Sequence, residues 1–258
     1  MRWTHLPAEA DILAALKHAG VRAENANQNQ KRNWSERFAN GCAVALANQF
    51  RQARLPGKTI KPVSLETGTE PLTPLGAGIQ KRLDVTVTSP MLGLEIGVSL
   101  KGLNFRDVGS NNFDKNLTGR LYEMSDEFRL VHEHLPHAFM VGVFFLPIAS
   151  CADKTEQAAS SFASTVRKLH ERTGRLDAAL SAHASKCDAS YVALYVLGDE
   201  DDGFTTGAAR FFNTSAAPPR RGRPKVEATL SLAEFVTQVV ELATNEAHVS
   251  WSDPEGPE

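Results

Sequence analysis

The chain has 258 residues, 42% of them hydrophobic and 22% charged, with a formal net charge of −2. That balance suits one large globular core with or without extensions. It excludes a bulk field attracting nucleic acid, so any such binding must come from local basic patches.

The first residues, MRWTHLPAEAD, lack the apolar core of a signal peptide. A first helix is expected over residues 7–19, ended by Gly20, with the polar stretch ENANQNQKRN exposed after it. A longer amphipathic helix is predicted over 34–54, where Trp34, Phe38, Ala45, Leu46 and Phe50 share one face. Residues 55–80 are rich in Pro, Gly and Thr and are expected to hold one short strand near 59–65 and a loop. Strands follow over 84–88 and 94–101, then a polar loop over 104–112. The next helix, 114–134, buries Leu117, Leu121, Met124, Phe128 and Val131. The apolar run 138–149 contains Pro147, is too short to cross a membrane, and reads as a buried strand over 138–147. A helix over 153–173 stopped by Gly174, a strand over 190–197 and a helix over 231–246 complete the order. Ser231 and Glu234 form a capping box for that last helix.

This order predicts an α/β fold with a mixed central sheet flanked by helices. It divides into an N-terminal helix and polar linker (1–30), a core (31–200), and a C-terminal basic segment and helix (201–258). Cys42, Cys151 and Cys187 are far apart and show no metal spacing, so reduced thiols of a cytoplasmic protein are expected. His132, His134 and His137 lie where a helix meets Pro136 and lack zinc spacing. The run GDEDDG at 198–203 is an acidic turn without the spaced ligands of an EF-hand.

The most informative segment is KRLDVTVTSPMLGLEIGVSLKG, residues 81–102. If its turn centres near Met91 and Leu92, antiparallel pairing sets Asp84 opposite Ser99. Lys101 is then a diagonal neighbour of Asp84, roughly 7–8 Å away at the backbone. An isolated match of this kind is also what a solvated surface hairpin looks like. In its order of elements, however, it resembles the PD-(D/E)xK nuclease superfamily, with its restriction-endonuclease-like αβββαβ core, over residues 34–147.

The resemblance implies that Asp84 binds Mg²⁺, for which Mn²⁺ can substitute, with the Leu100 carbonyl completing the coordination. Lys101 would orient the attacking water or stabilise phosphate charge. Ser99 stands where the family has an acid, so a second acid must come from elsewhere. Glu36 on the early helix is the first candidate, with Glu66 and Glu70 behind it. Glu95 faces the same side as Lys101 but lies about 13 Å up a straight strand from Ser99, unless a bulge at Gly97 shortens the gap.

Basic and amide side chains supply the candidate nucleic-acid contacts. Arg106 and Lys115 flank the polar loop, and Asn116, Arg120 and Glu123 share a face of the following helix. The segment PPRRGRPK, with Arg220, Arg221, Arg223 and Lys225, resembles an AT-hook, whose arginines enter the narrow minor groove of A·T-rich DNA. As an exposed linker it would still be a basic patch for phosphate. The resulting expectation is a type II restriction-like endonuclease acting on double-stranded DNA in bacterial defence. It would be cytoplasmic, nucleoid-associated when bound to DNA, and homodimeric because cutting both strands needs two sites. The alternative is a catalytically inactive nuclease fold that only binds DNA.

Overall fold

The computed structural model describes residues 10–23, 25–66, 71–175, 183–198 and 205–246. In chain order the helices are α1 (Ala10–Ala19), α2 (Gln28–Gln52), α3 (Leu117–His134), α4 (Ser161–His170) and α5 (Leu232–Glu246). The strands are β1 (Thr59–Lys61), β2 (Leu72–Gly76), β3 (Ile79–Arg82), β4 (Val85–Ser89), β5 (Gly93–Gly102), β6 (Phe139–Pro147), β7 (Ala189–Tyr195) and β8 (Ala209–Asn213). Six strands form one mixed sheet in the order β1-β4-β5-β6-β7-β8, as the α/β reading requires. Strands β5, β6 and β7 run parallel, and the pairs β1–β4, β4–β5 and β7–β8 are antiparallel. The expected αβββαβ order is met by α2, β1, β4, β5, α3 and β6, with β2 and β3 inserted as a separate two-stranded sheet.

Side-chain alternation along the strands divides the core into two layers. Ile96, Val98 and Leu100 of β5, with Val141, Val143 and Phe145 of β6, pack against α1, α2 and α5. Met140 and Phe144 face the other way, toward Leu121, Met124 and Phe128 of α3 and Phe162 and Val166 of α4. Gly97 and Gly142 lie at this second interface, where an added Cβ would come within 2.6 Å of the Met140 sulfur and 2.8 Å of the Met124 sulfur, respectively. Gly142 lets the sheet approach α3 closely, while Gly97 makes room for the Met140 and Leu83 side chains on the same face.

Helix α2 starts at Gln28, ahead of the expected residue 34, because Asn27 and Gln30 form a reciprocal capping box. Helix α4 is shorter than expected. Ser160 caps it by accepting from the Ala163 amide, and residues 153–160, anticipated as its first turns, form turns and irregular chain after a 3₁₀ turn at Ile148–Cys151. The β2–β3 hairpin occupies what reads as a loop in the sequence. Gly76 and Gly78 at positive φ make its turn, with Ala77 between them at φ 48°. The Ser231–Glu234 capping box is present, with the Ser231 amide donating to Glu234 at 2.7 Å and the Glu234 amide to Ser231 at 3.2 Å. The acidic turn at 199–203 lies outside the described residues. Among the described residues no helix is long and apolar enough to cross a membrane.

Candidate active site

The β4–β5 ladder has the expected register at its open end. Val85 pairs with Val98, which sets Asp84 opposite Ser99. Asp84 sits at a bend just before β4, and its Oδ2 accepts the Leu100 amide at 2.6 Å. The carboxylate thus takes the place of a strand carbonyl in the ladder. Its charge also reaches Cys42 on α2, whose thiol is pushed up first by burial and second by Asp84.

On the α3 face, Ser99, Lys101 and Glu127 come together. Ser99, fully buried, donates its hydroxyl to Glu127 Oε2 at 2.6 Å. The Lys101 ammonium donates to both Glu127 oxygens, at 3.1 and 3.2 Å. A second ammonium, Lys81 of β3, lies 3.4 Å from Glu127 Oε1. A carboxylate thus reaches Lys101 from α3, where the strand itself has Ser99 two residues earlier. A short serine at position 99 leaves room for the longer glutamate arriving from the helix. Sequence reasoning missed Glu127 and Lys81, although one signal was available. Glu127 follows Arg120 by seven residues and Glu123 by four, so it continues the same helix face one turn further.

The other acids proposed for the site are elsewhere. Glu36 is exposed on α2, across the sheet from Glu127, because Trp34 and Phe38 turn that helix's apolar face inward. Glu66 is also exposed, and Glu70 lies outside the described residues. Glu95 is fully buried and ion-paired with Lys58 at 2.7 Å. The bulge in β5 falls at Glu95 instead of Gly97, since Val87 pairs with Ile96 and Thr88 with Leu94, leaving Glu95 unpaired. That extra residue is committed to Lys58.

Arg120 is half-exposed and paired with Glu123 at 2.8 Å, and Asn116 is the N-cap residue of α3 without a side-chain capping bond. Between β5 and α3 the chain forms a tight loop. Asp107 accepts from the Gly109 and Ser110 amides and pairs with Lys115, which holds its carboxyl far below the usual range. Arg106 donates to the Asn111 carbonyl at 2.9 Å and covers the Phe113 ring at 4.9 Å. At the loop's start, Asn104 is held by Arg22, which donates to its carbonyl at 2.7 Å, and by Tyr195, which donates to its side chain at 2.9 Å.

The basic C-terminal segment is docked on the protein. The Ser160 amide donates to the Arg220 carbonyl at 3.0 Å and the Gly222 amide to the Cys151 carbonyl at 2.8 Å. Arg220 itself donates to the Gln157 carbonyl. Gly222 stands at φ 81° and Pro224 is buried. The glycine and proline that an AT-hook uses against a groove floor are here spent on a turn and a packing contact. Arg221, half-buried, and the exposed Arg223 and Lys225 remain surface basic residues.

The three histidines do not converge. His132, His134 and His137 bond to the separate carbonyls of Ala184, Leu130 and Leu92. All three cysteines are free and buried, and burial pushes the Cys151 and Cys187 thiols up to about 12.

Among the described residues no three His, Cys, Asp or Glu side chains form a metal-holding group. A small hard cation such as Mg²⁺ needs fewer, since one or two carboxylates with water and substrate oxygens commonly hold it. Asp84 and Glu127 are the two carboxylates hydrogen-bonded to the adjacent β5 residues Leu100 and Ser99.

No family model matches this chain, and no curated protein matches it. Among solved structures it is similar to SfsA of Pyrococcus furiosus in complex with Ca²⁺, at 14% identity and a TM-score of 0.29. The match covers 69% of this chain and 63% of that one.

Proposed function

We propose that this chain is a Mg²⁺-dependent endonuclease hydrolysing phosphodiester bonds of double-stranded DNA. The observation that carries the reading is the Glu127 carboxylate, which α3 brings to Ser99 and Lys101 at the open end of the β4–β5 pair. With Asp84 it would make up a donor set of two acids and a lysine, which the sequence motif leaves one acid short.

Asp84, Glu127 and the Leu100 carbonyl would hold the cation. When bound, the cation supplies Lewis-acid polarisation of the phosphate and acidifies water. Ser99 fixes the rotamer of Glu127. Lys101, only 12% exposed at its side chain, presents its ammonium beside the carboxylate, where it can orient a water or stabilise charge on a phosphate oxygen. The loop 104–116, the exposed Arg120–Glu123 stretch of α3 and the Arg220–Lys225 segment would supply backbone contacts to the duplex. Cutting both strands favours a homodimer, and a restriction-type role in bacterial defence is the setting in which such an enzyme fits.

The second reading is a DNA-binding protein without cleavage. It is favoured by the saturation of Glu127, which already carries a hydroxyl and two ammonium groups. The deciding experiment incubates wild type, Asp84→Asn, Lys101→Ala and Glu127→Gln with methylated and unmethylated plasmid in Mg²⁺, Mn²⁺ or EDTA. Metal-dependent cutting by wild type, lost in all three variants, supports the enzyme. Duplex binding with no cutting on any substrate overturns it in favour of the second reading.

A further inference from the structure

We propose that Lys81 is a second phosphate-contacting cation of this site, parked on Glu127 until a divalent ion takes that carboxylate. The inference rests on the nuclease reading and deepens it.

Lys81 reaches the site from β3, the strand that ends two residues before Asp84. It belongs to the β2–β3 hairpin, which is not hydrogen-bonded to the main sheet. Along that hairpin Thr73 and Leu75 are buried while Leu72 and Pro74 are exposed, and Ile79 and Lys81 are half-buried while Gln80 and Arg82 are exposed. Thr73 is the cross-strand partner of Lys81, so Lys81 stands on the hairpin's inward face, where Leu75 joins the α3-side core. A lysine on such a face needs a countercharge, and Glu127 supplies it at 3.4 Å.

The two ammonium groups on Glu127 are not equivalent. Lys101 hydrogen-bonds both oxygens at 3.1 and 3.2 Å and its side chain is 12% exposed, whereas Lys81 lies 3.4 Å from Oε1 and is 28% exposed. Lys81 is therefore the outer group, nearer solvent and any ligand arriving from it. Asp84, Glu127, Lys81 and Lys101 sum to zero charge. A divalent cation on the two acids makes the site +2, which favours an arriving phosphodiester. The same cation competes with Lys81 for Oε1 of Glu127. A displaced Lys81 then finds its nearest new anion in the substrate phosphate, to which an ammonium binds as a point charge.

This arrangement predicts effects of opposite sign on two ligands. Lys81→Ala removes a competitor of the metal, so Mn²⁺ should bind the DNA-free protein about threefold to tenfold more tightly by titration calorimetry. The same variant should bind a phosphorothioate duplex more weakly, with the slope of log K against log salt reduced by about 0.9. Lys81→Arg, which keeps the charge, should retain the wild-type slope. A lysine that only packs the hairpin gives no such opposed pair. Where wild type binds both ligands, any other pairing in Lys81→Ala, including no change in either, overturns the assignment. Wild type that binds neither Mn²⁺ nor duplex overturns the nuclease reading itself, and the inference with it.

Discussion

Removing the Arg175 guanidinium should destabilise the fold more than any surface change. Arg175 and Asp188 are 2% and 0% exposed at their side chains, with Nε 2.8 Å from Oδ1. Arg175 also donates to the Pro136 carbonyl at 3.0 Å, and Asp188 Oδ2 accepts the Met140 amide at 2.6 Å. His132 lies 3.4 Å from the same oxygen, and its Nε2 has no hydrogen-bond partner. Arg175→Ala leaves the Asp188 carboxylate buried without its guanidinium, a change that costs about 3–5 kcal/mol. For a chain of this size each kcal/mol moves the midpoint by about 2–4 °C, so Tm should fall by roughly 10 °C. The assay is thermal and urea unfolding at pH 7 of wild type, Arg175→Ala and the double variant Arg175→Met/Asp188→Asn. The asparagine keeps an acceptor for Met140 and discards the charge, so the double variant should recover at least about 1 kcal/mol over the single one. A single variant melting within about 2 °C of wild type, or a double variant no better than the single, refutes the reasoning.

Ser99→Ala removes the hydroxyl that orients Glu127 and should weaken Mn²⁺ binding by about 10-fold to 100-fold; calorimetry on the DNA-free protein checks it, and unchanged affinity removes Ser99 from the site. The buried thiols of Cys151 and Cys187 have folded values near 12 against an ordinary value of 9.0. The raised values mean that their contribution to stability is fully present below pH 9 and is lost as pH rises toward 12. The urea midpoint should fall across that window, and less steeply in Cys151→Ala/Cys187→Ala. Gly222→Ala places a side chain at φ 81° and should cost about 1 kcal/mol, read as a lowered urea midpoint. Arg221→Ala and Arg223→Ala should weaken binding to A·T-rich and G·C-rich duplexes alike; loss confined to A·T-rich sequence would restore the minor-groove reading.

The architecture was legible because its signals are local. Alternation in β4 and β5, the apolar run of β6 and the helical periodicity of α3 each belong to one segment. The register at the Asp84 end agrees with the expectation because two features offset each other: the turn centres on Met91, pairing Ser89 with Gly93, and the bulge at Glu95 shifts the ladder by one residue, so Asp84 falls opposite Ser99. The rest of the site depends on contacts across the sequence. Ser99 and Glu127 are 28 residues apart, and no period links a strand serine to a glutamate three turns into a helix. Glu95 misled for the same reason. Its distance along the strand was countable, but its commitment to Lys58 through a bulge was not. The β2–β3 hairpin escaped because Pro74 and the short Leu72–Gly76 run look like loop, and its inward face becomes visible only against α3. The Arg-Gly-Arg-Pro segment shows the reverse error, a motif whose glycine and proline serve the chain's own packing.

The position of Asp84 decides what an inactive control can prove. One oxygen of this carboxylate closes a gap in backbone pairing through the Leu100 amide, so the proposed chemistry and sheet integrity share a side chain. An alanine there strands an amide, at about 1–3 kcal/mol, on the residue between Ser99 and Lys101. A silent Asp84→Ala protein would thus report either lost chemistry or a frayed strand end. Asparagine keeps an acceptor for the amide and removes only the charge, so it separates the two.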